Sequence, residues 1–116
     1  MAEQIRIIEE YRNGKHIMRV MNPILLDPAM ADEMTKRLSE MFESGAQKVI
    51  INIGMVNRMS SLFFRSFIIA AKKAKEKNAK LAFCNVNPTI KAGFEMMKMD
   101  AYFKFFSDES KAFDEM

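Results

Sequence analysis

The chain has 116 residues, of which 49% are hydrophobic, and its 18 Lys and Arg residues exceed its 15 Asp and Glu residues by three. This length is typical of one hydrophobic core, so we expect a single domain over residues 1–116. The small positive charge does not favour direct binding of nucleic acid, and no apolar run approaches the roughly 20 residues of a membrane-spanning helix.

The first predicted element is a β-hairpin. Residues 4–11 are rich in isoleucine and partly alternate between apolar and polar side chains, and residues 16–21 form a second run of this kind. Between them lies Asn13-Gly14, a pair typical of the two-residue type I′ turn, in which both central residues need a positive φ.

A helix is predicted next, beginning at Asp27-Pro28. An aspartate caps free backbone N–H groups at a helix start, and a proline at the first helical position lacks the N–H that would have no partner. Gly45 is expected to end this helix, because glycine tolerates the left-handed conformation found there. The apolar residues at helical spacing are Met30, Met34, Leu38, Met41 and Phe42.

Two buried strands with a helix between them follow. Residues 48–54, "KVIINIG", and residues 80–86, "KLAFCNV", are apolar runs of strand length, as expected for strands covered on both faces. A loop over residues 55–59 leads to Ser60-Ser61, where the second helix is expected to open. Its apolar residues recur at helical spacing: Phe64, Phe67, Ile68, Ala71 and Ala74.

The last quarter of the chain predicts a third helix from Pro88, containing Ile90, Phe94 and Met97, then a short strand, "YFKFF". A terminal helix capped by Ser107 or Asp108 ends the chain. A hairpin followed by alternating strands and helices indicates an α/β fold, with a mixed sheet of about four to five strands and helices packed on it.

Few residues are suited to catalysis or metal binding. The one cysteine, Cys84, and the one histidine, His16, lie in separate predicted strands and do not supply a zinc site. No glycine-rich phosphate loop and no set of paired carboxylates stands out. We therefore expect a protein that is not an enzyme and has no cofactor or metal. A lone cysteine and the absence of a visible secretory signal favour a cytoplasmic location.

The segment "RMSSLFF" follows the first buried strand and opens the second helix, and "CNVNP" stands at the end of the second buried strand. In this order, and over most of the chain, the sequence resembles the STAS domain family, and in particular the bacterial anti-sigma factor antagonists. Those proteins carry a buried strand, a loop ending in Met-Asp-Ser-Ser/Thr-Gly-Leu, an amphipathic helix, and a strand ending near Ser/Asn-Pro. The resemblance implies a STAS-like fold.

The resemblance also implies a site. Ser61 matches the serine that a partner kinase phosphorylates, Ser60 replaces the preceding aspartate, and Leu62-Phe63 replaces a small residue and a glycine. Asp27 is similar to an aspartate near the partner surface, although the glycine that precedes it in the family is absent. The implied partner-binding residues are thus Asp27, Ser60, Ser61, Leu62 and Phe63.

Each of these residues has a simpler interpretation. Ser60 or Ser61 can be an ordinary helix cap, or Ser60 can cap while Ser61 points outward. Phe63 can be an exposed binding anchor, or it can pack under the first helix or the loop. A phosphate on Ser61 would lie at the positive end of a helix, which stabilises an anion.

The function implied by the resemblance is that of an anti-sigma factor antagonist. Such a protein binds an anti-sigma factor that is a serine kinase, loses the kinase when Ser61 is phosphorylated, and is reset by a phosphatase. Sigma-factor-dependent transcription is thereby regulated. The alternative is a STAS scaffold or an accessory subunit of a signalling complex or membrane transporter without phosphorylation, which the departure at Leu62-Phe63 favours.

Overall fold

The computed structural model describes residues 4–116, so the first three residues of the predicted domain lie outside the described residues. The strands are β1 Ile7–Arg12, β2 Lys15–Val20, β3 Ile24–Leu25, β4 Lys48–Asn52, β5 Arg58–Met59, β6 Lys80–Cys84 and β7 Lys104–Phe106. The helices are α1 Pro28–Glu43, α2 Ser61–Glu76, α3 Pro88–Met96 and α4 Glu109–Glu115, with a 3-10 turn at Asp100–Tyr102.

Five strands form one sheet in the order β1-β2-β4-β6-β7. Strands β1 and β2 are antiparallel, whereas the other neighbours are parallel. Helices α1, α2 and α3 cover one face and contribute to the larger core, and α4 covers the other face through Ala112. The predicted α/β architecture with a mixed sheet is confirmed.

The hairpin turn has the predicted geometry, since Asn13 and Gly14 have φ values of 51° and 79°. Strand β1 begins at Ile7, later than predicted. The side chain of the buried Asn22 explains this: it accepts from the Arg6 N–H at 2.6 Å and donates to the Gln4 carbonyl at 3.1 Å. The Arg6 N–H and the Gln4 carbonyl therefore pair with an amide side chain instead of a strand.

Phenylalanine rings hold α2 and α3 against the sheet. The Phe83 ring of β6 lies 4.9 Å from that of Phe67 on α2 and 5.3 Å from that of Phe94 on α3, measured between centroids. Phe64 packs edge-on against Phe94 at 4.8 Å. These contacts set the position of α2, and with it the position of the serines at its start.

The C-terminal third differs from its predicted form in two places. Met97 does not face the core, because α3 ends at Met96 and Met97 is 47% exposed at its C-cap. Tyr102 belongs to the 3-10 turn, so β7 is shorter than the predicted strand. Asp108, one of the two predicted caps, accepts from the Lys111 N–H at 2.8 Å at the start of α4.

A polar network fastens α4 to the sheet. The Arg19 guanidinium donates two hydrogen bonds to the Glu109 carboxylate, both at 2.8 Å, and Asn52 Nδ2 donates a third at 2.6 Å. Asn52 Oδ1 in turn accepts from the Gly54 N–H at 2.8 Å. The network thus connects α4 and β2 to the first residues after β4, which lead towards α2.

The Glu109→Gln variant tests this network. Arg19 and then Asn52 hydrogen-bond the carboxylate, so the pKa of Glu109 lies below its ordinary value. A lowered folded pKa stabilises the protein above the unfolded value of about 4.3 and loses that effect as the pH falls through the folded pKa. We expect a loss of about 1–2 kcal/mol in the free energy of unfolding at pH 7, shrinking below about pH 4.

Urea unfolding at several pH values measures this difference. Glu40→Gln is the matched control, since Glu40 is exposed on α1 and makes no ion pair in the described part of the chain. An equal loss in both variants, or a loss that does not depend on pH, would contradict the role given to Glu109.

Candidate functional site

A second, two-stranded sheet brings the two predicted site segments together. Strands β3 and β5 pair in parallel, with Leu25 opposite Met59. The Ser60 N–H donates to the Leu25 carbonyl at 2.9 Å, and the Asn57 N–H donates to the Pro23 carbonyl at 2.7 Å. The segment predicted as a loop therefore contains a short strand, and α1 and α2 begin side by side.

Asp27 holds the predicted cap position of α1. Its carboxylate accepts a hydrogen bond from the Ala29 N–H at 2.7 Å, and Pro28 follows as the first helical residue. The side chain is partly exposed next to the start of α2. The predicted cap is confirmed, and it places a carboxylate at the surface near the serines.

Ser60 occupies the N-cap position of α2, but only its backbone, and not its side chain, hydrogen-bonds the first turn of the helix. Its carbonyl accepts from the Phe63 and Phe64 N–H groups at 3.1 and 3.4 Å. Its hydroxyl makes no capping hydrogen bond, and within residues 4–116 its buried Oγ has no partner. The interpretation of Ser60 as a side-chain cap is therefore wrong. An unpaired buried hydroxyl costs about 1–3 kcal/mol.

Ser61 is the first residue of α2 and is exposed. The first turn of this helix contains no acidic residue. Arg65 lies four residues further on, which puts it on the same face of the helix, and Arg58 precedes Ser61 by three residues. Both arginines are exposed, so Ser61 lies at a helix N-terminus with cations on either side along the chain.

The two residues after Ser61 point in different directions. Leu62 is 41% exposed, whereas Phe63 is 0% exposed and belongs to the main core. The interpretation of Phe63 as an exposed partner-binding anchor is therefore wrong. In the structure Phe63 is part of a stripe of buried residues at helical spacing, together with Phe67, Ala70 and Ala74.

A buried hydrogen bond also joins α2 to α1. The Ser66 hydroxyl donates to the Ala31 carbonyl of α1 at 2.9 Å, and it also contacts the Leu62 carbonyl of its own helix at 3.0 Å. Ser66 is 3% exposed, so this is a buried polar contact with a partner on each helix. It fixes the distance between the two helices behind the exposed face that carries Ser61 and Leu62.

Exposed apolar residues border the helix starts. A shallow groove of about 300 Å³ runs between α1 and α2, with Leu62 and Ile69 on one side and Asp32 on the other. Ile24 and Leu26, on either side of Leu25, are each 42% exposed. No pattern in the sequence identifies Ile24 and Leu26 as part of this surface, because only the pairing of β3 with β5 places them near α2.

The one histidine and the one cysteine, the residue types most often used in catalysis, lie apart from this surface. His16 is on the hairpin, where the centroid of its ring lies 4.6 Å from the centroid of the Tyr11 ring. Cys84 is buried in β6, and desolvation raises the pKa of its thiol to about 12. Among residues 4–116 no three His, Cys, Asp or Glu side chains are grouped as a metal site would need, and no helix is long and apolar enough to cross a membrane.

The sequence profile of the STAS domain family matches residues 7–112. The chain belongs to the STAS domain family. A protein of Bordetella bronchiseptica named as an anti-sigma factor antagonist, BtrV, is 22% identical to this STAS domain over 72 residues. That alignment covers 62% of this chain and 62% of BtrV, so it spans less than two thirds of the relative.

Solved STAS structures share the fold. An anti-sigma factor antagonist from Mycobacterium paratuberculosis superposes with a TM-score of 0.81 at 13% identity, covering 96% of this chain and 92% of the other. The Bacillus cell fate determinant SpoIIAA in its phosphorylated form gives 0.75 at 16% identity, covering 95% and 98%. The predicted family and fold class are therefore confirmed.

Two alanine variants test the different states of the two N-cap residues. Asp27→Ala removes a capping hydrogen bond and is expected to cost about 1 kcal/mol in the free energy of unfolding. Ser60→Ala removes a buried hydroxyl that has no partner, so we expect a gain of about 1 kcal/mol or more in the free energy of unfolding. Urea unfolding of both variants measures this. A loss for Ser60→Ala as large as that for Asp27→Ala would mean that its hydroxyl is paired in solution.

Proposed function

We propose that the protein is a cytoplasmic anti-sigma factor antagonist. In this proposal it is a regulatory protein without catalytic activity that binds an anti-sigma factor with serine kinase activity. Phosphorylation of Ser61 by that kinase releases the partner, and a phosphatase restores the unmodified serine. Capture of the anti-sigma factor would free a sigma factor for transcription.

The observation that carries the proposal is the exposure of Ser61 at the first position of α2, next to the start of α1. The paired strands β3 and β5 hold both helix starts at one surface, so a single partner can contact Ser61, Leu62 and Asp27 together. The buried hydroxyl of Ser60 leaves only part of that residue for such a contact. The proposed contact surface, here called the switch surface, comprises Asp27, Ser60, Ser61 and Leu62.

The charges at this position explain why phosphorylation would release a partner without unfolding the domain. A phosphate adds about −1.5 to −2 charges at neutral pH. On this chain it would meet the positive end of α2 and exposed Arg65 on the same helix face, which accommodate an anion. A partner surface that had packed closely against the neutral serine would instead have to desolvate the new charge.

Leu62 supplies the apolar part of the switch surface. It stands where the resemblance leads us to expect a small residue, and its side chain borders the groove between α1 and α2. Phe63 does not obstruct a partner with its ring, because the ring lies in the core. An apolar side chain of the partner against Leu62 would therefore add contact area beside Ser61.

A second candidate function is a STAS subunit of a signalling scaffold or of a membrane transporter, without phosphorylation. Exposed Leu62 beside Ser61 favours it, because a bulky residue there narrows the access that a kinase needs. Purification of the tagged protein from its own cells separates the two functions. A stable large assembly, or a transporter complex that contains no kinase, would support the second.

Incubation with the partner kinase and ATP, followed by mass spectrometry, tests the modification. We expect one phosphate on the wild type and none on Ser61→Ala. Ser110→Ala is the matched control, since Ser110 is an exposed serine near the start of α4. Equal phosphorylation of the wild type and Ser61→Ala would show that the site is elsewhere.

A charge at position 61 is expected to act on binding and not on folding. Ser61→Glu should weaken kinase binding at least tenfold, measured by isothermal titration calorimetry, because the partner must desolvate the carboxylate. Its melting temperature should stay within about 2 °C of the wild type, since a helix N-terminus tolerates an acidic residue. Unchanged binding would contradict the proposed switch.

Leu62→Ala tests the apolar contact. Since Leu62 is 41% exposed in the free protein, we expect little change in stability but a five- to fiftyfold loss in affinity for the kinase, corresponding to about 1–2 kcal/mol. Ile8→Ala is the matched control, because Ile8 is 49% exposed on β1, away from the switch surface. Equal effects of the two variants would exclude a specific contact at Leu62.

A further inference from the structure

A larger groove lies at the opposite end of α2 from Ser61, and the proposed function makes no use of it. It has a volume of about 470 Å³ and lies between the last turns of α2, the first residues of β6 and β7, and the 3-10 turn. This volume is within the range of sites that bind small molecules.

The floor of the groove is apolar and recessed. Ala74, Leu81, Ala82 and Phe103 line it, and each of them is at most 7% exposed. The groove is deep because many of its lining residues have small side chains. Alanines line it on α2, just before β6, within β6 and in the 3-10 turn. They are Ala71, Ala74, Ala79, Ala82 and Ala101.

The rim is strongly basic. Lys72 and Lys75 of α2, Lys80 at the start of β6 and Lys104 at the start of β7 are all exposed and line the groove. Within residues 4–116 none of these four lysines takes part in an ion pair. Glu115 contributes the one acidic side chain of the lining.

Other lysines near the end of α2 do have partners. Lys73 and Lys77 both bind the Glu43 carboxylate of α1, with Lys77 Nζ at 3.2 Å. The lysines on the face of α2 turned towards α1 therefore share one carboxylate, whereas those on the face turned towards the groove have none. Four unpaired cations around an apolar floor complement a ligand that is both anionic and apolar.

We infer that this groove binds a medium-chain fatty acid as a free molecule. The carboxylate lies among Lys72, Lys75, Lys80 and Lys104, and the alkyl chain lies on Ala74, Leu81 and Phe103. Here these residues are called the acyl groove. A free molecule fits better than a bilayer surface, because insertion into a bilayer needs several apolar side chains that protrude. Here the apolar floor is recessed, and Tyr102 is the one large apolar side chain of the lining that is half exposed.

The acyl groove and the switch surface are separated along α2. Lys72 follows Ser61 by eleven residues, which corresponds to about 16 Å along the helix axis. Binding in the groove therefore does not depend on the proposed partner or on phosphorylation, and it can be measured on the isolated full chain.

The test is an NMR titration of the ¹⁵N-labelled chain with octanoate, decanoate and dodecanoate, each below the concentration at which it forms micelles. We expect saturable shifts at residues 71–82 and 101–104. Affinity should rise about fourfold for each added methylene, because each one buries apolar area on the floor. Decyl maltoside, which has the same chain without a charge, should bind at least tenfold more weakly than decanoate.

Charge variants give the control. Lys72→Glu with Lys104→Glu should weaken decanoate binding at least tenfold. Lys36→Glu with Lys111→Glu changes the net charge equally, at exposed lysines outside the groove, and should leave binding within twofold. Thermal melts establish that both double variants are folded. Ala101→Leu fills the groove from an exposed position and should also weaken binding.

Several results would overturn the inference. They are no saturable shifts, an affinity independent of chain length, equal weakening by the two lysine pairs, and binding to phosphatidylglycerol vesicles without binding of monomeric decanoate. The last result would assign the basic rim to a membrane surface. A negative result here leaves the proposed function unaffected, because the experiments that test the proposed function concern Ser61 and Leu62.

Discussion

The pairing of β3 with β5 is the interaction on which the candidate site depends. Two residues on each strand, joined in parallel, place the backbone before α1 beside the backbone before α2. The hydrogen bond from the Ser60 N–H to the Leu25 carbonyl continues this pairing up to the helix start. Without this pairing the sequence alone would not bring Asp27 close to Ser61, because 33 residues lie between them.

The two ends of helix α2 have different proposed roles, and the packing of the middle of the helix holds both ends in place. Phe63 and Phe67 are fully buried, and Ser66 is hydrogen-bonded to α1, so the helix is held along its length. Its first turn has no acidic residue, and its last turn contains lysines. The N-terminus is therefore suited to an added anion on Ser61, while the C-terminal face offers charge to a ligand in the acyl groove.

Ser60 shows how the chain departs from an ordinary helix start. The hydroxyl oxygen of an N-cap serine usually accepts a hydrogen bond from a backbone N–H, but here the hydroxyl is buried without a partner. The resemblance places an aspartate at this position in related proteins. A serine at position 60, unlike an aspartate, puts no negative charge beside Ser61, so the proposed phosphate would meet a more positive helix start.

The sequence by itself determined the order of the five main-sheet strands and four helices, the turn at Asn13-Gly14, the Asp27 cap and the start of α2. Each of these depends on local backbone chemistry or on apolar spacing. The tertiary structure alone decided three further points: the β3–β5 pairing, the burial of Phe63 and the unpaired state of the Ser60 hydroxyl. The acyl groove also appeared only in three dimensions, because its lysines come from three elements. Contacts between segments distant in sequence depend on how the helices pack on the sheet, and local residue preferences do not specify that packing.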